Sequence, residues 1–232
     1  MTRCTNIAEN LEIVRTVISQ AEKASGRAPG TVELVAVSKT HPPEVIQKAV
    51  DAGQLVFGES RVQEARAKIP ELSSSLRWHL VGHLQSNKVR VALRLFEMIH
   101  GVDSEELLVE IQSSAKQLGV FPKVLLQVNV AGESSKFGFS PAGLLAQLEA
   151  ILRLDRVDIL GLMTIPPLAP SPEASRKYFV RLRELRDRVE KEYQILLPHL
   201  SMGMSGDYRV AVEEGATLVR VGTAIFGERR PR

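Results

Sequence analysis

Hydrophobic and polar positions along the chain follow two alternating periods. Short apolar runs, typical of buried strands, are followed by windows in which apolar residues recur every three or four positions, as on one face of a helix. The first such window predicts a helix over residues 6–24, with apolar positions Ile7, Leu11, Val14 and Ile18. The same switch of period is then repeated along the sequence.

Eight apolar runs are predicted to be strands. They are the segments VELVAVS, QLVFG, RWHLVG, FEMIHGV, KVLLQVNV, VDILGLMT, HLSMG and TLVRVGTAIFG. Each but the last is followed by a predicted helix, at residues 43–52, 62–68, 86–95, 105–118, 141–153, 173–193 and 208–214. Strands that alternate with helices form parallel sheets with right-handed crossovers. Eight such units predict an α/β protein of the (β/α)8 TIM barrel type with an extra N-terminal helix, and favour it over an open doubly wound sheet.

The sequence also predicts how the chain is divided. No stretch rich in glycine, serine or charge separates two halves, so we expect a single domain over residues 1–232. A leading helix and loop would occupy residues 1–30 and the barrel residues 31–227. Barrel enzymes place their chemistry at the C-terminal ends of the strands, so the loops that follow the predicted strands are the candidate site.

Composition narrows the class of protein. The chain has 232 residues, of which 44% are hydrophobic and 25% charged, as in an ordinary globular protein. The net charge of +3 is spread along the sequence, so neither nucleic-acid nor membrane binding is indicated. The single cysteine, Cys4, allows no intramolecular disulfide and no cysteine-based zinc site. No signal peptide or membrane-spanning run is visible, and we expect a cytoplasmic protein without a metal centre.

Lys39 ends the first predicted strand, in VAVSKT, and is a candidate for covalent chemistry. An amine among apolar strand ends is less hydrated, which favours its neutral form and suits a Schiff base with a carbonyl. Lysines are also common in solvated loops, and that alternative stays open. Lys136, in GESSKFGF, lies on the same predicted face. We interpret it first as a solvated lysine and second as an accessory amine.

The loops after the seventh and eighth strands form a candidate phosphate site. SMGMSGD supplies Gly203, Ser205 and Gly206, and RVGT supplies Gly222 and Thr223. Glycine lets the backbone approach an anion closely, hydroxyls add donors, and a helix N-terminus favours negative charge. Barrels frequently bind phosphate at these two loops. The plain alternative is that the glycines only form turns.

Other polar residues near the predicted strand ends have less specific interpretations. Arg220, in LVRVG, either points into the barrel mouth, towards an anion or a ring nitrogen, or reaches the surface. His79 and His83 lie on a predicted strand, so we interpret them as core or mouth histidines and not as metal ligands. Asp103 is predicted to cap the helix over residues 105–118.

Long motifs extend over residues 34–227. They are VAVSKT, FGESRVQEA, WHLVGHLQSNK, NVAGESSKFGF, GLMTI and LSMGMSGDYRVAVEEGATLVRVGTAIFG. Together they resemble one known family, the pyridoxal 5′-phosphate homeostasis proteins. Members of that family bind pyridoxal phosphate on a barrel similar to the N-terminal domain of bacterial alanine racemase. The resemblance implies intracellular cofactor homeostasis, by storage, buffering or delivery, without robust catalysis.

The resemblance also implies roles for five residues. Lys39 would hold the cofactor as a Schiff base, and Arg220 would face the pyridine nitrogen. The phosphate would lie near Ser205, Gly222 and Thr223. A cation at the ring nitrogen disfavours ring protonation and so weakens the cofactor as an electron sink.

The chain differs from the family pattern at two positions, and other functions stay open. Many members have asparagine and tyrosine where this chain has Ser60 and Arg61. The sequence ends at Arg232, shortly after the last strand, so we expect a monomer without the second domain that supplies a catalytic tyrosine in alanine racemases. The implied partners are the cofactor and apo-enzymes that use it. Two alternatives stay open: an amino-acid racemase or other Schiff-base enzyme on this barrel, and an interaction module.

Overall fold

A closed barrel of parallel strands forms the centre of the molecule, in a computed structural model that describes residues 6–133 and 136–228. Helix α1 (Ile7–Ala24) precedes the barrel, whose strands follow one another in chain order. The strands in this described part are β1 (Glu33–Val37), β2 (Val56–Glu59), β3 (Arg77–Leu80), β4 (Met98–Val102), β5 (Lys123–Gln127), β6 (Asp158–Met163), β7 (His199–Ser201) and β8 (Leu218–Val221). Parallel pairing of β8 with β1 closes the ring. The predicted (β/α)8 barrel with its extra N-terminal helix is confirmed.

Helices cover the outside of the barrel. After α1 the structure describes α2 (Pro43–Asp51), α3 (Val62–Lys68), α4 (Val89–Leu95), α5 (Glu105–Leu118), α6 (Pro141–Leu152), α7 (Pro172–Tyr193), α8 (Tyr208–Glu213) and α9 (Thr223–Phe226). Two 3-10 turns, Ile69–Glu71 and Ser86–Lys88, extend α3 and precede α4. Within the described residues, no helix is both long and apolar enough to cross a membrane.

Helix starts follow from local sequence. Serine hydroxyls accept a hydrogen bond from the backbone N–H three residues on at three N-caps: Ser104, Ser140 and Ser171. The prediction that Asp103 caps α5 was wrong. Ser104 is the cap because its hydroxyl reaches the Leu107 N–H at 3.2 Å, whereas the Asp103 carboxylate binds His83 Nδ1 at 2.7 Å.

The last predicted strand was too long. TLVRVGTAIFG forms a strand only as far as Val221, and its AIF run lies in α9. Gly222 has φ −119° and ψ −76°, so the chain leaves the extended conformation there and turns into the short helix. The fifth predicted strand also ends early, at Gln127, after which Val128 makes only an isolated bridge with Phe139.

Hydrophobic residues pack on both sides of the strands. The outer layer, between strands and helices, is the larger, with Phe57, Ile99 and Phe179 almost completely buried. The barrel interior holds a smaller cluster: Val35, Val37, Val56, Val81, Met98, Leu125, Met163 and Leu218. Four buried polar residues share that interior: His79, His100, Ser201 and Arg220. Side chains alternate along a strand, so the inward positions of β1 lead directly to position 39 at the mouth.

Candidate functional site

A cavity of about 250 Å³ opens at the C-terminal ends of the strands. It is lined by all five residues predicted to bind a cofactor: Lys39, Ser205, Arg220, Gly222 and Thr223. They come from the loops after β1 and β7 and from β8 and its loop, so the barrel brings together residues that are far apart in sequence. Val37, Val81 and Ile165 add apolar walls. The cofactor-binding roles themselves stay a prediction.

The backbone around Lys39 is held in a strained conformation. Thr40, the next residue, has φ 70°, a left-handed value that β-branched residues rarely adopt and that costs about 1–3 kcal/mol. The Thr40 N–H donates to the Glu64 carboxylate, and the His41 N–H donates to the Ser38 carbonyl at 3.1 Å. These bonds fix the half-buried Lys39 between two anchored neighbours.

A buried charge cluster lies behind this loop. The Lys68 ammonium donates to the Ser38 carbonyl at 3.1 Å and to the Glu59 carboxylate at 2.9 Å, and it also pairs with Glu64. The Ser38 hydroxyl donates to the same Glu59 oxygen at 2.7 Å. Burial raises the pKa of Glu59, and Lys68 and the Ser38 hydroxyl oppose that shift. One ammonium thus joins both carboxylates that hold the loop of Lys39.

Backbone N–H groups converge at the other side of the cavity. The Ser205 hydroxyl accepts from the N–H groups of Gly222 and Ala224, each at 3.2 Å. Gly203 has φ 93°, and a Cβ there would lie 2.6 Å from the Ala211 methyl group, so only glycine fits this turn. A hydroxyl beside converging N–H groups forms a cradle suited to an anion such as phosphate.

Arg220 is a buried cation beside this cradle. Its side chain is 4% exposed, with Nη1 donating to Ser201 Oγ at 2.5 Å and Nη2 to the Thr164 carbonyl at 2.8 Å. Burial lowers the pKa of Arg220 to about 10, and Asp207 opposes the shift. The guanidinium therefore stays charged at neutral pH. No ion pair joins it to a carboxylate in the described parts of the chain, so it is available to an acceptor in the cavity.

The two histidines of HLVGH lie in different surroundings. His79 is 1% exposed and bonds to His100 inside the barrel, whereas His83 lies at the mouth and stacks on Phe137 with ring centroids 4.1 Å apart. Their interpretation as core and mouth histidines is confirmed. Over residues 6–133 and 136–228, no group of three or more His, Cys, Asp or Glu is placed to hold a metal ion.

Three further residues singled out in the sequence differ in their position relative to the cavity. Lys136 does not line the cavity and pairs with Glu133 at 2.8 Å. Ser60, a departure from the family pattern, lines the cavity, whereas the neighbouring Arg61 is exposed and immediately precedes α3.

Several residues of the site were not predicted from the sequence. His41 lines the cavity and packs against Phe226 in a tilted arrangement, with ring centroids 4.9 Å apart. Lys68 was assigned only to a helix, although its position four residues after Glu64 is a signal for an ion pair. His100 was not considered, and only the inward register of its strand could have indicated it.

The fold and the cavity define a class of protein: a parallel barrel with an amine, an anion cradle and a buried guanidinium at its mouth. The family model described as alanine racemase, N-terminal domain, matches residues 5–230. The alanine racemase of Clostridium difficile 630, solved in complex with cycloserine, superposes with a TM-score of 0.75 at 16% identity, covering 98% of this chain and 61% of that one. At that identity the likeness shows a shared fold.

Nearer relatives identify the family. The pyridoxal phosphate homeostasis protein of Aquifex aeolicus is 46% identical over 226 residues, which are 97% of this chain and 99% of that protein. PipY of Synechococcus elongatus PCC7942, solved with pyridoxal phosphate bound, has a TM-score of 0.85 at 42% identity, covering 95% of this chain and 100% of that one. The chain belongs to the pyridoxal phosphate homeostasis protein family, as its motifs predicted.

Proposed function

We propose that this protein binds pyridoxal 5′-phosphate at the barrel mouth and acts in intracellular cofactor homeostasis, by storage, buffering or delivery. The observation that carries the proposal is the convergence of Lys39, the Ser205 cradle and Arg220 on one cavity. PipY, solved with this cofactor bound, supports it. We further propose that the protein acts as a cytoplasmic monomer and that apo-enzymes receive the cofactor.

The residues of the cavity fit the three functional groups of the cofactor. Pyridoxal phosphate supplies an aldehyde, which condenses with a primary amine to a Schiff base and releases one water molecule. Lys39 supplies the amine, from a loop whose conformation is already fixed. Ser205, Gly222 and Thr223 hold the phosphate through hydroxyl and N–H donors. Arg220 donates to the ring nitrogen.

Two features favour a carrier over a racemase. Arg220 keeps a positive charge beside the ring nitrogen, which disfavours ring protonation and so limits the stabilisation of carbanions. Racemisation also needs acid–base groups on both faces of the substrate. Neither a carboxylate nor a phenol occurs among the described residues that line the cavity, where Lys39, His41 and Arg220 are the titratable groups. We therefore propose that the protein lacks robust catalysis of its own.

Spectroscopy and chemical trapping test cofactor binding. Addition of pyridoxal phosphate to the purified protein should produce the near-visible absorption band of a Schiff base, and borohydride should fix the adduct on Lys39. Lys39→Ala should abolish the band but keep the thermal unfolding transition, whereas Lys136→Ala should keep both. A wild-type protein that takes up no cofactor would refute the proposed function.

Isotope exchange and transfer assays separate the carrier from the racemase. The holo-protein should exchange the α-hydrogen of alanine and other amino acids for deuterium no faster than free pyridoxal phosphate does. It should also reactivate an apo-enzyme while a trap consumes the free cofactor. Exchange at ordinary enzymatic turnover would instead establish the racemase alternative.

A further inference from the structure

A row of buried polar side chains crosses the barrel interior below the cavity. Arg220 on β8, Ser201 on β7, His100 on β4 and His79 on β3 are each at most 4% exposed. The links are Arg220 Nη1 to Ser201 Oγ at 2.5 Å, Ser201 Oγ to His100 Nδ1 at 2.9 Å, and His100 Nε2 to His79 Nδ1 at 3.1 Å. Polar groups in an apolar interior are costly unless their hydrogen bonds are made, so this row requires an explanation.

The chemistry of Arg220 and Ser201 decides which group donates in each hydrogen bond, and so gives the row a direction from donor to acceptor. A guanidinium carries only N–H donors, so Ser201 Oγ accepts from Arg220. Among the described residues, the acceptor within reach of the Ser201 hydroxyl hydrogen is His100 Nδ1. The opposite arrangement, with His100 Nδ1 donating, would leave this buried hydroxyl hydrogen without an acceptor, which costs about 1–3 kcal/mol.

The hydrogen bond between the two imidazoles has the same order of donor and acceptor. Burial lowers the pKa of His79 to about 4 and holds the pKa of His100 well below its usual range, so both rings are neutral at neutral pH. A neutral ring that accepts at Nδ1 carries its hydrogen on Nε2. His100 therefore donates from Nε2 to His79 Nδ1, and His79 also carries its hydrogen on Nε2.

The row ends at the opposite side of the barrel from the cofactor cavity. His79 lines a second cavity, of about 350 Å³, together with residues from the N-terminal ends of the strands, such as Glu33 and Arg77. His79 Nε2 is buried and has no partner in the described parts of the chain. The last N–H is thus left for an acceptor in the lower cavity, such as an ordered water molecule.

We propose that Ser201 and His100 are positioning residues, which fix the guanidinium of Arg220 so that its remaining N–H groups meet the cofactor ring. This inference rests on the proposed function. A planar guanidinium held at one acceptor still rotates about that bond, whereas acceptors at both Nη1 and Nη2 define its plane. The Thr164 carbonyl supplies one acceptor and Ser201 the other. His100 takes the Ser201 hydrogen and thereby turns the oxygen lone pairs towards Arg220.

The histidine tautomers test the direction of the row without any cofactor. Long-range proton–nitrogen NMR spectra of the unliganded protein should show His79 and His100 as neutral rings with the hydrogen on Nε2. His79→Gln and His100→Gln assign the signals. A His100 ring with its hydrogen on Nδ1, or a doubly protonated ring at neutral pH, would overturn the proposal.

The ring nitrogen of bound cofactor tests the positioning role. With nitrogen-15-labelled pyridoxal phosphate, Ser201→Ala should move the ring-nitrogen resonance towards that of a protonated pyridine and weaken binding about tenfold, the ratio that 1.4 kcal/mol represents. Ser201→Thr, which keeps the hydroxyl, should restore the wild-type resonance. Ser114→Ala, at another buried serine bonded to Glu110 on α5, should leave both quantities unchanged.

The outcomes separate this inference from the proposed function. If Arg220→Gln moves the ring-nitrogen resonance and Ser201→Ala does not, the positioning role is refuted while cofactor binding stands. If the wild-type protein binds no cofactor, the proposed function fails and so does the positioning role that rests on it. The tautomer spectra then still report whether the row of hydrogen bonds has the inferred direction.

Discussion

Single residues around the cavity adopt backbone conformations that most side chains avoid. Gly203 has φ 93° and Thr40 has φ 70°, and each lies within two residues of a group assigned to the cofactor. Strain of this kind persists only where surrounding contacts enforce it. At Thr40 the contact with Glu64 does so, and at Gly203 the absence of a side chain allows the turn.

Gly203→Ala should destabilise the protein and weaken cofactor binding. The added methyl group would lie 2.6 Å from the Ala211 side chain and 2.9 Å from Tyr208 Cα, at a left-handed φ, so we expect a loss of about 1–3 kcal/mol. Thermal unfolding and a cofactor titration measure the two effects. Gly206→Ala is the matched control for thermal unfolding, since its Cβ would meet no protein atom within 4 Å. Equal thermal destabilisation by the two substitutions would contradict the steric account.

At the scale of elements, β1, β2 and α3 are joined by the Lys68 cluster. Lys68 is 7% exposed and Glu59 is completely buried, so their ion pair contacts almost no water. Breaking such a pair leaves a buried charge without compensation, which costs about 3–5 kcal/mol. The cluster also holds the loop of Lys39 in place, because the neighbouring Ser38 bonds to both Lys68 and Glu59.

Lys68→Met should therefore lower both stability and the rate of the Schiff-base formation that we propose at Lys39. The free energy of unfolding should fall by about 3–5 kcal/mol, and the near-visible band should develop more slowly. If the Lys68→Met protein does not fold, the same two measurements are made on Lys68→Arg, which keeps the charge. Lys48→Met, at an exposed lysine of α2, is the control. A Lys68→Met protein with wild-type stability and wild-type kinetics would show that the cluster does not support the loop.

Some helices and strands could be predicted from the sequence pattern, and others could not. The change of hydrophobic period sufficed to predict the strand order and most helices, because burial on one face sets that period. It did not predict α9, since its AIF run is as apolar as a strand and the turn depends on the conformation of Gly222. The motifs suggested Lys39 and the loops of the cradle. Apart from the Glu64–Lys68 pair, whose spacing is a helical signal, the Lys68 cluster and the row behind Arg220 could not be predicted, because they depend on which faces of distant strands meet.

At the scale of the whole molecule, the barrel interior should make stability depend on pH. Burial lowers the pKa of His79 to about 4, from 6.5 in the unfolded chain. Between these values the unfolded state binds a proton at His79 that the folded state does not. His79 therefore does not destabilise the fold above pH 6.5, and its destabilising effect grows as the pH decreases towards 4. Burial also lowers the pKa of His100 and His199, which act in the same direction. The raised pKa of Glu59 acts in the opposite direction.

His79→Gln should reduce this acid destabilisation. The wild-type protein is expected to lose up to about 3 kcal/mol through His79 over that range, and the variant should lack this part of the slope. Denaturant unfolding measured at a series of pH values gives both slopes. Identical slopes for His79→Gln and the wild-type protein would exclude His79 as the source.

The pairing of β8 with β1 has a consequence for biosynthesis. Because β1 pairs with β8, the ring closes only after β8 has left the ribosome. Lys39 and Arg220 come together only at that step, so a nascent chain without β8 has no complete cavity at the barrel mouth. Pyridoxal phosphate then acts after synthesis, where it stabilises the finished fold by an amount that grows with the logarithm of its free concentration once the site is largely filled. The lifetime of the protein in the cell should therefore increase with the supply of pyridoxal phosphate.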